Sequence, residues 1–364
     1  MNKTFKYRIY ANNATSAKMV KWISFCRQLY NLALEQRIQA YKTHHKTISK
    51  FQQMREVTEL RHAFPEYEEM NSEVLYNVIK RLDRAYQAFF RRIKSGEKAG
   101  FPRFKSEDRY NSITFRKFGW KLNEKYLTIK KVGIFKIKLS RPILGEIREV
   151  TISKTFNGKF YVSFHCKDIP NSILPKSKKE IAIDVGCVSF LTDSNNNKID
   201  NPRFFKNSQE KLAKAQQSLS RKPKSSNRRK KAKVIVANIY QKIVNQRKDF
   251  HYKTANQLIK RYGIIYIEKL KSWNSWRNLN RSMQDVAWFQ FFNILKVKAE
   301  EAGRIVVEVP AEYTSQICSQ CGKIVKKDLS CRIHSCSCGL KIDRDYNAAL
   351  NILRFGQNLQ LVPS

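Results

Sequence analysis

Between residues 318 and 353 the chain reads CSQCG, a basic loop, CSCG and then LKIDRDYNAALNIL. The two short cysteine pairs, each followed by glycine, constrain the fold more than any other feature. Thiolates at this spacing hold a metal ion, and the ion replaces the hydrophobic core that so small a segment lacks. Cys318 and Cys321 form C-x2-C before Gly322, whereas Cys336 and Cys338 form C-x-C before Gly339, one residue shorter than the usual second pair. Cys331 and His334 lie close enough to compete as ligands. A site of four cysteines and a site of three cysteines with one histidine therefore both fit, and a disulfide is a third alternative. No open coordination position is evident, so the site reads as structural zinc. Asp343 and Asp345 follow at once and open an alanine-rich helix, so a metal-held segment delivers a carboxylate to a defined place.

The charge says what that carboxylate works on. The 364 residues carry 71 Lys+Arg against 30 Asp+Glu, a net charge of +41. Self-repulsion on that scale requires a polyanionic partner. Nucleic acid is the first candidate, since phosphate contacts release counterions, and an anionic membrane surface is the second. No apolar run of about 18 residues is present, so no membrane-spanning helix is expected. The N-terminus, MNKTFKYRIY, does not read as a signal peptide. Of the eight cysteines, Cys26, Cys166 and Cys187 stand singly in apolar surroundings, which fits reduced thiols in a cytosolic protein.

Periodicity divides the chain. Residues 3–10 alternate as a strand, residues 15–42 repeat apolar side chains at helical spacing, and further helices are expected over 49–61 and from Asn71 or Ser72 to the Phe89-Phe90 pair. Gly96, Gly100 and Pro102 then break the pattern. Residues 111–167 read as short strands, with Asn157-Gly158 as a hairpin turn. A small barrel is therefore expected to begin with the first strand and resume near Asn111, the helices being inserted between. Residues 170–179 form a lysine-rich linker. Beyond it, 180–193 and 264–268 read as buried strands, 283–302 as a helix, 304–309 as a strand, and the tryptophans at 273 and 276 as part of a loop. Residues 203–248 hold fifteen Lys/Arg and one acid, Glu210, on two helices joined near 223–227. The bland alternative is a solvated helical face.

Three acids sit where a carboxylate is costly or deliberately placed. Asp184 ends IAID, Glu268 ends IIYIE, and Asp345 begins the last helix. A buried carboxylate needs a partner or a metal. Three on separate elements suit Mg2+, which takes a few carboxylates and keeps several waters. Each has a lesser alternative. Asp184 could cap a turn, Glu268 could pair with Lys269 or Lys271, and Asp345 could be only a helix cap, with Asp343 as competitor for its role.

The order IDVG, IEKL, YTSQICSQCG, CSCG, DRDYNAALNIL, together with KYRIY, the RQLYNLALEQR and LYNVIKRLDRAYQAFF helices, GFPRFKS and NPRFFKNSQEKLAKAQQSLSRK, resembles the TnpB proteins of bacterial insertion sequences, relatives of type V CRISPR effectors. The resemblance covers nearly the whole chain. It implies an α/β architecture: an RNase H-like RuvC nuclease domain over 171–310 and 340–364, a zinc ribbon over 311–339, a wedge-type β-barrel over 1–10 and 105–170, and a helical recognition insert over 11–104. It implies a transposon-associated, RNA-guided, Mg2+-dependent DNA endonuclease cutting beside a short motif. Asp184, Glu268 and Asp345 take the places of the catalytic, Mg2+-holding acids. Cys318, Cys321, Cys336 and Cys338 take those of the zinc ligands, and Cys331 has no counterpart. Its partners are then a guide RNA and double-stranded target DNA, with no membrane, working as a monomer with its guide RNA in the bacterial cytoplasm at the nucleoid. The guide reads sequence while the protein reads a duplex motif and heteroduplex shape. Tyr76, Asn77 and Lys80, with Asn111 and Ser112, are the expected motif readers, because 73, 77 and 80 share a helix face; packing or phosphate contact is the alternative. Arg221, Lys222, Arg228 and Arg229 are expected along a nucleic-acid backbone. An RNA-guided DNA-binding regulator with weak or no cleavage is the alternative function, and the intact acids weigh against it; a strand-transferring transposase is a third.

Overall fold

The computed structural model describes residues 1–116, 118–270, 277–328 and 331–361. The expected loop around Trp273 and Trp276 lies outside them. Among the described residues no helix is long and apolar enough to cross a membrane. The chain divides into two compact units, Met1–Pro170 and Asn171–Ser364.

The first unit begins with β1 (Lys3–Tyr10), followed by helices α1 (Asn13–His44), α2 (Lys50–Ala63), α3 (Pro65–Glu68) and α4 (Ser72–Lys94). Strands β2 (Ser112–Phe115), β3 (Trp120–Asn123), β4 (Tyr126–Ile129), β5 (Gly133–Lys138), β6 (Glu146–Lys154) and β7 (Phe160–Lys167) complete it. The strands form one antiparallel sheet in the order β2-β6-β7-β1-β5-β4-β3, so β1, first in sequence, is central. The turn at Asn157-Gly158 joins β6 to β7, with Gly158 at φ 76°, a conformation glycine adopts without steric cost. The expected barrel is a half-barrel. Among the described residues β2 and β3 are unpaired edges, and the apolar face of the sheet is covered by helices instead. Asn12 caps α1 by accepting from the Thr15 N–H at 2.8 Å, and Asn71 caps α4 by accepting from Glu73 at 2.9 Å. Trp22, Cys26 and Leu34 of α1 and Leu75 and Leu82 of α4 join Phe135 and Phe164 of the sheet in one core.

The second unit holds β8 (Glu180–Val185), β9 (Ser189–Asp193), β10 (Lys198–Asp200), α5 (Phe204–Ser220), α6 (Asn227–Arg261), β11 (Ile264–Glu268), α7 (Arg277–Val286), α8 (Trp288–Glu301) and β12 (Ile305–Val309). The hairpin β13 (Ile333–Ser335) and β14 (Lys341–Asp343) and the final helix α9 (Arg344–Leu361) follow. The five-stranded sheet runs β10-β9-β8-β11-β12, with β8, β11 and β12 mutually parallel and the β8-β9-β10 edge antiparallel. Alternation along the strands separates two faces. Ile181, Ile183, Ile265 and Ile267 pack with Leu258 of α6 and Phe291 of α8, whereas Ala182 and Tyr266 pack with Ile352 of α9. The approach of α9 is close: a Cβ on Gly356 would lie 2.0 Å from the Tyr266 ring. The helix expected over 283–302 is two helices, because Ala287 takes a left-handed φ of 55° between α7 and α8.

His251 of α6 is buried, 1% exposed, beside the rings of Phe190 and Phe291. Its Nε2–H donates to the Val286 carbonyl at 3.0 Å. Burial holds its pKa down to about 4, below the ordinary 6.5. The folded state therefore favours the neutral ring. The resulting stability is complete above about pH 6.5 and is lost as pH falls from there toward 4, because the unfolded chain takes up the proton first. After allowance for residual screening, the loss is about 2 kcal/mol. Melting curves should show wild type losing that much more than His251→Phe between pH 7 and pH 4; parallel losses would remove His251 as the cause.

Candidate active site and metal centre

Alternation fixes where two of the three acids point. Asp184 is two residues beyond Ala182, and Glu268 two beyond Tyr266, so both lie on the face covered by α9. Ile183 is the register partner of Ile267, so the two acids follow one step later on adjacent parallel strands, at their C-terminal ends. Asp345 stands in the first turn of α9. A Cβ on Gly186 would sit 3.0 Å from the Ser189 carbonyl and 3.8 Å from Asp345 Oδ2, so glycine here leaves the space beside Asp345 open.

Asp184 carries the charge of both other acids. Burial first, then the charges of Glu268 and Asp345, push the pKa of Asp184 well above the ordinary carboxylate range, with Arg344 and the Val185 N–H opposing the shift. Burial also raises Glu268, against the pull of its hydrogen bond from Thr314. Thr314 Oγ1 donates to Glu268 Oε1 at 2.7 Å and so orients it. Arg344 reaches Asp345 Oδ1 with Nε and Nη2, both at 3.4 Å. Two like charges on one sheet face and a third on the helix over it, all partly exposed, are electrostatically poised for a cation.

Asp343 has a different occupation. Its Oδ1 accepts from the N–H groups of Asp345 and Tyr346 at 2.9 and 3.1 Å, and Lys198 Nζ donates to its Oδ2 at 2.7 Å. It caps α9 and ties it to the edge strand β10. Two asparagines four apart on α9, fully buried, complete the attachment. Asn347 donates to the Ile317 carbonyl at 2.8 Å and accepts from the Ser319 N–H at 3.0 Å; Asn351 donates to the Thr314 and Ile317 carbonyls at 2.9 and 2.7 Å. Sequence reasoning missed Lys198, Thr314, Arg344, Asn347 and Asn351; the Asn-x3-Asn spacing was the available signal for the last pair.

The four cysteines of the two knuckles converge, their Sγ atoms all within 4.8 Å of one another. Cys318 Sγ is 3.6 Å from Cys338 Sγ, and Cys321 Sγ 3.5 Å from Cys336 Sγ. A tetrahedron of thiolates about 2.3 Å from zinc has edges of roughly 3.8 Å, whereas a disulfide needs about 2.0 Å. The donor set therefore fits one zinc ion, in a segment too short for its own core. The shorter C-x-C knuckle still closes, because the Cys336 N–H donates to the Leu340 carbonyl at 2.9 Å while Gly339 takes a φ of 92°. Neither competitor joins the quartet: Cys331 is exposed, with Sγ donating to the Ile333 carbonyl at 3.2 Å, and His334 is buried on β13 against Lys327.

The residues expected to read DNA are placed unevenly. Asn77 is only 6% exposed, and its side-chain oxygen accepts from Arg81 Nε at 2.9 Å. Arg81 also donates to the Ser112 carbonyl at 2.8 Å and to Thr114 Oγ1 at 2.7 Å, bolting α4 to β2. Asn77 and Ser112 thus serve the packing of α4 on the sheet. Tyr76 shares a hydrogen bond with Thr58 at 3.1 Å, Lys80 is half-buried, and Asn111 is exposed. On the basic hairpin, Arg229 donates to the Leu219 and Lys222 carbonyls at 2.8 and 2.9 Å, and Lys222 Nζ donates to Ser218 Oγ at 2.8 Å. Those two close the turn between α5 and α6, while Arg221 and Arg228 face solvent.

Comparison with known proteins follows the same division. Residues 163–278 match the family model described as "Probable transposase", residues 288–352 one described as "Cas12f1-like, TNB domain", and residues 1–46 one described as "Helix-turn-helix domain". In the structure the last segment is strand β1 and helix α1. A Streptomyces pristinaespiralis protein named "Putative RNA-guided DNA endonuclease" is 32% identical over 98% of this chain and 90% of its own length. The "Putative RNA-guided DNA endonuclease InsQ" of Escherichia coli (strain K12) is 28% identical over 97% of this chain and 92% of its own. Among solved structures, the mini-RNA-guided endonuclease CRISPR-Cas phi3 aligns over 98% of this chain and 92% of its own with a TM-score of 0.54 and 9% identity, a likeness of fold.

Proposed function

The chain belongs to the TnpB family, and from that premise we infer that it is an RNA-guided DNA endonuclease that cuts target DNA beside a short motif. The observation that carries this reading is Asp184 and Glu268 on one sheet face with Asp345 on the helix that covers it, where burial first, and then the charges of the other two, raise the pKa of Asp184. The strand order β10-β9-β8-β11-β12 supports a RuvC-like nuclease domain over 171–310 and 340–364, with the ribbon at 311–339 between. The half-barrel of 1–10 and 105–170 is the wedge, and 11–104 the recognition insert. The chain acts on the bacterial nucleoid, as a monomer with its guide RNA.

Asp184, Glu268 and Asp345 would hold Mg2+, and Cys318, Cys321, Cys336 and Cys338 would hold structural zinc. Bound divalent cations would activate water and stabilise the leaving oxygen of a phosphodiester. This chain's residues set the stage. Thr314 orients Glu268, Asp343 and Lys198 hold the start of α9, and Arg344 balances the carboxylates. Tyr76, Lys80 and Asn111 would read the motif, and Arg221 and Arg228, exposed on the basic hairpin, would line a nucleic-acid backbone. Cleavage of a supercoiled plasmid carrying a guide-matched target, with Mg2+ and guide RNA, tests the function. Stable guide-directed binding without any cut would make the protein a regulator instead.

Lys198→Ala leaves all three acids in place but frees the cap. It is expected to raise the Mg2+ concentration for half-maximal cleavage roughly two- to fivefold, the scale of a half-exposed ion pair, with Lys198→Arg restoring it. Asp343→Asn, which keeps the cap and loses the pair, should match Lys198→Ala, and the double variant should be no worse than either. Additive effects would show that the two residues act separately.

A further inference from the structure

The last turns of α4 and the loop after it expose aromatic rings that no core uses. Phe90 is 58% exposed, Phe101 46% and Phe104 50%. They are not scattered. Tyr86 stacks on Phe90 with centroids 6.3 Å apart, and Phe101 packs edge-to-face with Tyr86 at 5.6 Å and with Phe89 at 5.3 Å. Arg37 of α1 lies over the Tyr86 ring at 5.1 Å. The loop that carries Phe101 and Phe104 is fixed by Asn31 of α1, which donates to the Lys105 carbonyl at 3.0 Å and accepts from the Lys105 N–H at 2.8 Å. The rings therefore sit on a pinned backbone, and binding to them would order little more than the ligand.

Charge identifies the occupant. Residues 91–103 contain Arg91, Arg92, Lys94, Lys98 and Arg103 against one acid, Glu97. All five cations are exposed. Apolar rings rimmed by cations suit a polyanion that also presents flat apolar faces. A duplex keeps its base faces stacked inside; an unpaired strand offers them. We propose that Phe90 and Phe101 form a stacking ledge for unpaired nucleotides, whose phosphates are held by Arg91, Arg92 and Arg103. This deepens the reading of the chain as an RNA-guided nuclease and rests on it; plasmid cleavage by the wild-type protein tests that reading separately.

The test uses the full chain and short oligonucleotides bearing a photoactivatable thio-base: a 4-thiouridine RNA, a 4-thiothymidine DNA, and a blunt duplex with an internal 4-thiothymidine. Single-stranded probes are expected to cross-link to the peptide spanning residues 86–104, mapped by mass spectrometry. Phe90→Leu/Phe101→Leu keeps apolar bulk and removes the π faces. It should lose that cross-link and weaken single-strand binding about tenfold at every salt concentration, leaving the slope of log K against log salt unchanged. Tyrosine at both positions should restore both readouts, and blunt-duplex binding should not change. Cross-linking by the RNA probe alone assigns the ledge to the guide, and by the DNA probe alone to a DNA strand. Three results would overturn the proposal: cross-links that map elsewhere, equal weakening of the blunt duplex, or self-association of the wild type that the leucine variant abolishes.

Discussion

Asp184→Asn is expected to abolish DNA cleavage, lowering the rate at least about a thousandfold, while guide-RNA binding stays at the wild-type level. It is also expected to stabilise the protein. In the absence of divalent cations, Asp184 stands half-buried beside two other carboxylates, and its pKa is driven up by burial and by their charges. The amide removes that repulsion at nearly constant volume, so the metal-free variant should melt at a higher temperature, by about 1 kcal/mol of added stability. Mg2+ should then raise the melting temperature of the wild type and do much less for the variant, since binding to the native state is what stabilises. A residue that only capped a turn would show the opposite pattern, destabilised by the substitution and indifferent to Mg2+. Cleavage at the wild-type rate by Asp184→Asn would sink the assignment.

What could be read in advance followed from patterns with short range. The alternation of β1, the helical spacing of α1, and a carboxylate closing an apolar strand at Asp184 and Glu268 are each visible within a few residues. So are the knuckles, since a turn of three or four residues sets where their thiols point. What could not be read depends on closures between distant segments. Lys198 meets Asp343 across 145 positions, and Thr314 meets Glu268 across 46; nothing local marks either partner. Asp343 and Asp345 were rivals for one role, and the capping bonds fall to Asp343. Asn77 looked like a reader on a helix face, yet its own side chain is buried and its oxygen accepts from Arg81. A small barrel was expected from the first strand and the run of short strands over 111–167. Here helices share the same core, and the sheet stops at a half-barrel. The left-handed Ala287 that splits α7 from α8 has no Gly or Pro to announce it.

Stripping zinc is expected to abolish cleavage although no zinc ligand belongs to the acid trio. Four thiolates on one ion contribute about 10–16 kcal/mol to the fold of such a segment, far more than its few apolar contacts could replace. The loss does not stay local. Asn347 and Asn351 anchor α9 to the backbone at Thr314, Ile317 and Ser319, immediately before and within the first knuckle. Thr314 holds Glu268, and α9 carries Asp345. An unfolded ribbon therefore releases two of the three carboxylates from their places. Chelation, or Cys318→Ser, should open residues 318–343 to limited proteolysis first, leave the unit of Met1–Pro170 intact, and lower cleavage at least about a hundredfold. Excess Mg2+ should not restore the chelated protein, and added Zn2+ should. Cys331→Ser supplies the control. Its exposed thiol stands outside the quartet, so zinc content by metal analysis and cleavage should both match the wild type. Full activity in protein shown to be free of zinc would break the link from the ribbon to Glu268 and Asp345, and a zinc-deficient Cys331→Ser would place that thiol among the ligands in place of one of the four.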